Sequence, residues 1–238
     1  MYLSASKDFD AHNIANIANN VEIFLFRAEK YPNISANRRL CAIFLVISRL
    51  IITYTQAAMS VIRVKDKTFK TFIPEREILE RIKVVADKIN QDMADKNPLF
   101  LAVLNGSFMF AADLMRMITV PCEISFVKLA SYEGTSSTGN VQDLIGVNVP
   151  LEGRTVIVLE DIIETGNTLG HLVRTLKGRQ AADVRICSLL LKPERLKVPL
   201  KVDYVVKEIP NDFIVGYGLD YDQQGRNLRD IYTIVEED

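Results

Sequence analysis

From Met59 onward, hydrophobic and polar positions follow patterns that predict strands and helices in turn. Residues 61–73 alternate apolar and polar side chains, which is typical of a small antiparallel hairpin. Pro74 then opens a predicted helix that runs to about Asn90. The other predicted strands are residues 99–105, 123–129, 155–160, 184–191 and 203–209, and the other predicted helices are residues 107–117 and 167–180. Because strands alternate with helices, we expect an α/β fold with a mainly parallel sheet.

The first 58 residues depart from this pattern. They contain no glycine, and their apolar run at residues 41–55 is interrupted by Arg49. The run is shorter than the roughly 20 apolar residues that a bilayer requires, so a transmembrane helix fits poorly. A signal sequence is the other alternative, but 37 residues precede the two arginines that would begin it. We expect residues 1–58 to be a poorly ordered, non-catalytic extension and residues 59–238 to form the functional domain.

Charge and cysteine usage narrow the class of protein. A net charge of -1 over 238 residues gives no basic surplus for neutralising phosphates, so we expect no nucleic-acid partner. Cys41, Cys122 and Cys187 lie far apart and lack metal-site spacing, which indicates free thiols in a reducing compartment. His12 and His171 are isolated, so a histidine-based catalytic triad is excluded.

The stretch "VIVLEDIIETGNTL" at residues 156–169 carries most of the chemistry. Its strand leads to Glu160 and Asp161, at the edge of the sheet where ligands of α/β proteins bind. The Thr-Gly turn that follows places backbone N–H groups at a helix N-terminus, which suits a phosphate monoester. Acids beside a phosphate site fit ribose hydroxyls or a Mg²⁺ ion. The pattern therefore favours a phosphorylated sugar over an ordinary capped helix with solvated acids.

Five motifs in order resemble the type I phosphoribosyltransferases, in the hypoxanthine-guanine branch. They are "VLNGSFMFAADL", "SYEGTSSTG", "VLEDIIETGNTL", "SLLLKPER" and "DFIVGYGLDYDQQGRNL". The resemblance implies a twisted, mainly parallel sheet with flanking helices and a small hood subdomain. It also implies a cytoplasmic purine salvage enzyme that uses Mg²⁺ and forms a homodimer or homotetramer. Such an enzyme moves the 5-phosphoribosyl group of 5-phosphoribosyl 1-pyrophosphate (PRPP) to N9 of hypoxanthine or guanine, giving IMP or GMP and pyrophosphate.

The resemblance assigns the sugar-phosphate side of the site. Glu160 and Asp161 are expected on the ribose hydroxyls, directly or through Mg²⁺. Glu164 stands where the family usually has Asp as general acid/base for purine N7. The residues expected to bind the 5′-phosphate are Thr165, Gly166, Asn167 and Thr168.

The same resemblance assigns the purine. Lys192 would donate to the 6-oxo oxygen, since an ammonium group donates only and disfavours a 6-amino group. Phe213 would stack on the base, and the backbone of Ile214 would contact its edge.

The pyrophosphate side follows in the same way. Asn105 and Gly106 form the expected pyrophosphate loop, with a non-proline cis peptide from Leu104 to Asn105. Many relatives have Lys at position 105, so a direct charge contact from that side chain is absent here. Arg226 would bind a pyrophosphate oxygen, and Asp220 would be a further Mg²⁺ ligand.

The stretch "SYEGTSSTGNVQDLIG" resembles the family's mobile lid. Ser131 and Tyr132 would fold over the reacting centre and exclude water. A surface loop without that function is the alternative.

Three alternative functions stay open at this point. The first is an enzyme that prefers xanthine. The second is a non-catalytic PRPP or nucleotide sensor, although Glu164, Lys192, Asp220 and Arg226 are the set expected of a catalyst. The third is a membrane-tethered form, which depends wholly on residues 40–58.

Overall fold

The computed structural model describes residues 60–129, 143–145, 147 and 149–235, with the backbone alone at 143–145. The extension predicted at residues 1–58 and the predicted lid residues Ser131 and Tyr132 lie outside these ranges. The strands of the described chain are β1 (Val61–Val64), β2 (Lys67–Ile73), β3 (Leu99–Leu104), β4 (Glu123–Leu129), β5 (Asp143–Ile145), β6 (Thr155–Ile163), β7 (Asp183–Leu191), β8 (Tyr204–Glu208), β9 (Ile214–Val215) and β10 (Ile231–Ile234).

The larger sheet has the strand order β5-β4-β3-β6-β7-β8. Strands β4, β3, β6, β7 and β8 run parallel, and β5 pairs antiparallel with the edge of β4. Along β3, Phe100 and Ala102 belong to one core cluster, whereas Leu101 and Val103 belong to another. Both faces of this strand are therefore covered, which explains its unbroken apolar sequence.

The described chain has three α-helices: α1 (Glu75–Asp92), α2 (Phe108–Met117) and α3 (Asn167–Gly178). The apolar side chains at helical spacing along α1, from Ile78 to Ile89, are buried as the sequence predicts. Helices α1 and α2 pack into one core cluster and α3 packs into the other. The helices therefore cover opposite faces of the sheet, which confirms the predicted α/β architecture.

A second, four-stranded antiparallel sheet has the order β1-β2-β10-β9 and is called the hood sheet below. Strands β1 and β2 form the predicted hairpin, in which Val64 pairs with Lys67. Phe69 of β2 is buried against Val215 and Tyr232 from the other two strands. Neither β9, with two residues, nor β10, with four, is predicted by the sequence pattern.

Strand β6 is longer than predicted. The apolar run indicated an end at Glu160, but the strand continues to Ile163, because Ile162 and Ile163 pair with Leu190 and Leu191 of β7. The pairing of β6 with β3 stops earlier, at Leu159. The two acids after Leu159 therefore lie on a part of β6 that has lost one neighbour, at the opening between β3 and β6.

The order in which the chain adds strands to the sheet changes side at this opening. From β3 the chain passes to β4 on one side, and the next parallel strand, β6, lies on the other side. Crevices at such switch points are where open α/β sheets bind ligands. Among the described residues, no helix is long and apolar enough to cross a membrane.

Candidate active site

Glu160 and Asp161 form a pair of carboxyl groups in the opening between β3 and β6. Burial raises the pKa of Glu160 well above its ordinary value, and the neighbouring charge of Asp161 and a hydrogen bond to it act in the same direction. Burial also raises the pKa of Asp161, although the hydrogen bond with Glu160, backbone N–H groups and the charge of Arg226 oppose the rise. Two ionised carboxylates are therefore unfavourable here unless a cation compensates them.

The predicted pyrophosphate loop lies directly against this pair. The peptide bond from Leu104 to Asn105 is cis, as the resemblance implied. A Cβ built on Gly106 would lie 1.6 Å from Oδ2 of Asp161, so any larger residue at this position would have to displace the carboxyl group of Asp161. Asn105 is exposed, while Ser107 is buried and donates to the carbonyl of Val103 at 2.5 Å. The backbone of the loop is thus anchored beside the acid pair.

Arg226 and Asp220 form an ion pair on the hood side of that loop. Nη2 of Arg226 is 2.6 Å from Oδ1 of Asp220, and its Nη1 donates to the carbonyl of Gly218 at 2.8 Å. The other oxygen of Asp220 accepts from the N–H of Gln223 at 2.8 Å. Arg226 and Asp220 therefore hold each other in place. A pyrophosphate that binds Arg226, or a metal ion that binds Asp220, would replace contacts that these side chains already make.

The Thr-Gly turn precedes α3 as predicted. Gly166 has a φ of +77°, and a Cβ there would lie 3.1 Å from Val198 and 3.3 Å from Leu196. Asn167 and Thr168 are exposed in the first turn of the helix, where backbone N–H groups have no intrahelical partner. Together with the positive end of the helix dipole, these groups can bind a phosphate.

Glu164, between the strand and the turn, contacts two cations. Oε1 accepts a hydrogen bond from Nζ of Lys192, and Oε2 is 4.0 Å from Nη2 of Arg195. The Lys192 side chain is 6% exposed, whereas those of Glu164 and Arg195 are 39% and 44% exposed. The structure thus brings together the predicted general acid/base and the predicted base-reading lysine, and it adds an arginine that the sequence analysis did not single out.

Phe213 presents its ring at the surface of the hood sheet. The residue is 45% exposed, and its ring meets that of Tyr221 edge-on at 5.7 Å. Its carbonyl accepts from the N–H of Ile234 at 3.0 Å, and Ile214 beyond it is buried in β9. Phe213 is therefore held by its neighbours while much of its ring stays exposed, and such a ring is suited to stacking on a planar ligand.

The residues at the sheet opening fit a divalent cation such as Mg²⁺. Hard carboxylate oxygens are the ligands that this ion takes, and burial raises the pKa of both Glu160 and Asp161, so a divalent cation would favour their ionised forms. No cluster of three or more metal-binding side chains occurs within the described ranges. A bound Mg²⁺ would therefore complete its shell with water and ligand oxygens, as it commonly does.

Two features of the site were missed by the sequence analysis. Arg195 could have been found, since it ends the quoted motif "SLLLKPER" three residues after Lys192. The contact of Gly218 with Gly106 joins segments over a hundred residues apart, and no local pattern signals it.

Comparisons with known proteins identify the family of the chain. The sequence profile of the phosphoribosyl transferase domain matches residues 73–222. Over 169 residues the chain is 43% identical to a hypoxanthine-guanine phosphoribosyltransferase of Streptococcus pyogenes, covering 71% of this chain and 94% of that protein.

Solved structures give the same result. A crystal structure of a hypoxanthine-guanine phosphoribosyltransferase from Bacillus anthracis matches with a TM-score of 0.66 and 41% identity, over 70% of this chain and 96% of that one. A variant of the hypoxanthine phosphoribosyltransferase of Trypanosoma cruzi, in a ternary substrates complex, matches with a TM-score of 0.66 and 40% identity, over 69% of this chain and 94% of that one. The chain therefore belongs to the type I phosphoribosyltransferase family, and its relatives lie in the hypoxanthine-guanine branch.

Proposed function

We propose that this protein is a purine salvage enzyme that transfers the 5-phosphoribosyl group from PRPP to N9 of hypoxanthine or guanine. One observation carries the choice of substrate: Glu164 and Lys192 contact each other at the ends of two adjacent strands. In a 6-oxopurine, N7 and the 6-oxo oxygen are neighbours on one edge of the base. A proton acceptor beside a cation matches that edge.

The 5′-phosphate is proposed to bind in the turn before α3. Thr165, Asn167 and Thr168 supply hydroxyl and N–H donors there, and Gly166 lets the backbone turn tightly. Glu160 and Asp161 would accept from the ribose hydroxyls. Pyrophosphate would then lie toward Gly106 and Arg226, since Gly106 touches Asp161 and the charge of Arg226 reaches the same carboxyl.

We assign Mg²⁺ to Glu160 and Asp161, with Asp220 as a further ligand on the pyrophosphate side. When bound, the ion supplies charge neutralisation for the pyrophosphate leaving group. Asp220 is engaged by Arg226 and by the N–H of Gln223, so this last assignment requires the ion pair to open.

The chemical step follows from the positions of these groups. The base enters with its proton on N7, and N9 forms the new bond to C1′ while the C1′–O bond to pyrophosphate breaks. Pyrophosphate leaves with the electron pair of that bond, and Arg226 stabilises its added charge. The N7 proton passes to the carboxylate of Glu164, and Lys192 donates to the 6-oxo oxygen throughout.

The Ser131–Tyr132 pair is proposed to close over the reacting centre and to exclude water, which would suppress hydrolysis of PRPP.

We also propose that the protein works in the cytoplasm and forms a homodimer or homotetramer. Cys122 and Cys187 are free, as a reducing compartment requires. Light scattering after size-exclusion chromatography would measure the oligomeric state.

One assay tests the function directly. The purified chain is incubated with PRPP, Mg²⁺ and each of hypoxanthine, guanine, xanthine and adenine, and the nucleotide and pyrophosphate are quantified. Turnover of hypoxanthine and guanine is expected, with adenine much poorer. Preference for xanthine would replace the proposed specificity, and PRPP binding without turnover of any base would favour the sensor.

A further inference from the structure

The connection after β7 presents two cations on one side. Lys192 precedes a short 3₁₀ helix, Pro193–Arg195, and the N–H of Arg195 donates to the carbonyl of Lys192 at 3.1 Å. Both side chains reach the carboxylate of Glu164, Lys192 through a hydrogen bond to Oε1 and Arg195 at 4.0 Å from Oε2. The side chains of Lys192 and Arg195 therefore project toward the same residue.

Two backbone hydrogen bonds fix this turn to the segment that carries Glu164. The N–H of Lys192 donates to the carbonyl of Ile163 at 2.9 Å, and the N–H of Lys197 donates to the carbonyl of Thr165 at 3.0 Å. These acceptors are the immediate neighbours of Glu164 on either side. The turn and the segment around Glu164 therefore form one unit.

The two cations approach different oxygens of the Glu164 carboxylate. Lys192 contacts Oε1 from the buried side, and Arg195 faces Oε2 at 4.0 Å from the solvent side. Glutamate also has one more rotatable bond than the aspartate usual at this position in the family, so fixing its carboxylate costs more conformational entropy. A second cation that faces the outer oxygen can offset part of that cost.

We infer that Arg195 is a positioning residue for Glu164, an inference that rests on the proposed function. Arg195 holds Oε2, so that Oε1 stays in place when Lys192 directs its ammonium group at the 6-oxo oxygen. The contact that the structure shows for the Arg195 side chain is with Glu164, so on this inference Arg195 does not act on the base or on PRPP directly. Its effect on turnover therefore passes through Glu164.

A double-mutant cycle tests this route. Arg195→Gln should lower kcat about three- to tenfold, a modest loss because the pair is half-exposed, with the KM for PRPP unchanged. Arg195→Lys should recover most of the loss. In the Glu164→Gln background, Arg195→Gln should change kcat by less than about twofold. An equal loss in both backgrounds, or a loss expressed in the KM for PRPP, would overturn the assignment.

Arg76→Gln is the matched control, because Arg76 lies 3.8 Å from Glu80 in an exposed pair on α1. It should leave kcat unchanged. A second measurement is independent of activity. It follows the NMR resonance of the carboxyl carbon of Glu164, which is assigned because it disappears in Glu164→Gln. Arg195→Gln should shift this resonance and Arg76→Gln should not. If Arg195→Gln leaves the resonance in place, the positioning role is wrong. If the wild-type protein shows no turnover, the proposed function is wrong.

Discussion

Gly218 lies directly against the backbone of Gly106: a Cβ at Gly218 would stand 2.0 Å from the carbonyl oxygen of Gly106. Gly218 also has a φ of +99°, donates its N–H to the carbonyl of Arg226 at 2.9 Å and accepts from the Arg226 guanidinium at 2.8 Å. One residue thus joins the predicted pyrophosphate loop to the predicted pyrophosphate-binding arginine.

Gly218→Ala should separate these two segments. The added methyl group cannot fit without moving backbone, and the positive φ adds strain, so we expect a loss of about 2 to 4 kcal/mol in the free energy of unfolding. The value of kcat/KM for PRPP should fall at least about tenfold, since a misplaced binding group is costly. Denaturant unfolding and steady-state kinetics measure the two effects.

Gly178→Ala is the control for this substitution, because a Cβ there meets nothing within 4 Å. It should keep full activity and change stability by less than about 1 kcal/mol. If Gly218→Ala behaves like Gly178→Ala, the contact between the two segments is not required.

The helices and strands with a clear hydrophobic pattern were predictable from the sequence, because their apolar residues mark the buried positions. The face of α1 from Ile78 to Ile89 and the unbroken β3 both lie where the pattern placed them. Strands β9 and β10 were missed because segments of two and four residues are too short to show a period. The end of β6 was wrong because pairing with β7, which no local pattern reports, carries the strand past its acids.

The candidate site likewise has a part that the sequence predicts and a part that it does not. The residues that act through their side chains, such as Glu164 and Lys192, stood in recognisable motifs, and the structure places them in contact. The contacts between glycine backbones depend on how distant segments pack. They could be found only in three dimensions.

Glu77 gives a prediction for the dependence of stability on pH. A hydrogen bond from Lys207 at 2.5 Å, helped by one from Arg81 at 2.9 Å, lowers the pKa of this carboxyl and links α1 to β8. A lowered folded-state pKa stabilises the fold above the ordinary value of 4.5, and the benefit is lost as pH falls through the folded-state value. Glu77→Gln should therefore lower the melting temperature at pH 7 by about 1 to 3 °C, and by less at pH 4.

Glu80→Gln serves as the comparison on the same helix, since Glu80 is 70% exposed and pairs with Arg76 at 3.8 Å. Its melting temperature should stay close to that of the wild type. A Glu77→Gln deficit that is as large at pH 4 as at pH 7 would exclude the electrostatic cause.

Glu164→Gln tests the proton acceptor. Glutamine keeps the size and can still hydrogen-bond, but it cannot take up a proton, so turnover should drop about 10²- to 10⁴-fold while PRPP affinity stays nearly constant. Glu194→Gln, at an exposed glutamate of the neighbouring 3₁₀ helix, should leave turnover unchanged. Near-normal turnover of Glu164→Gln would remove this residue from the mechanism.

Truncation to Met59 tests the extension. Every residue assigned to the site lies after this position, and the family match begins at residue 73. The shortened chain should fold, and its kcat should stay within a few-fold of the full chain, because no assigned contact is removed. Loss of folding or activity would show that residues 1–58 belong to the working enzyme.

Lys192→Ala tests the reading of the base. The ammonium group is buried and close to Glu164, so its loss removes a charge-assisted hydrogen bond to the 6-oxo oxygen. Such a loss typically costs about 1.5 to 3 kcal/mol, or roughly 10- to 150-fold in kcat/KM for hypoxanthine. Adenine, which offers no oxygen at that position, should not share this loss.

The deciding quantity is therefore the ratio of hypoxanthine to adenine turnover at saturating PRPP. Lys192→Met fills the space without the charge and should lower the ratio as Lys192→Ala does, which separates charge from packing. Lys201→Ala removes a lysine that is 88% exposed on the same connection and should leave the ratio unchanged. If the ratio is the same in all four proteins, Lys192 does not read the 6-position, and the preference for 6-oxopurines must come from backbone contacts such as those proposed for Ile214.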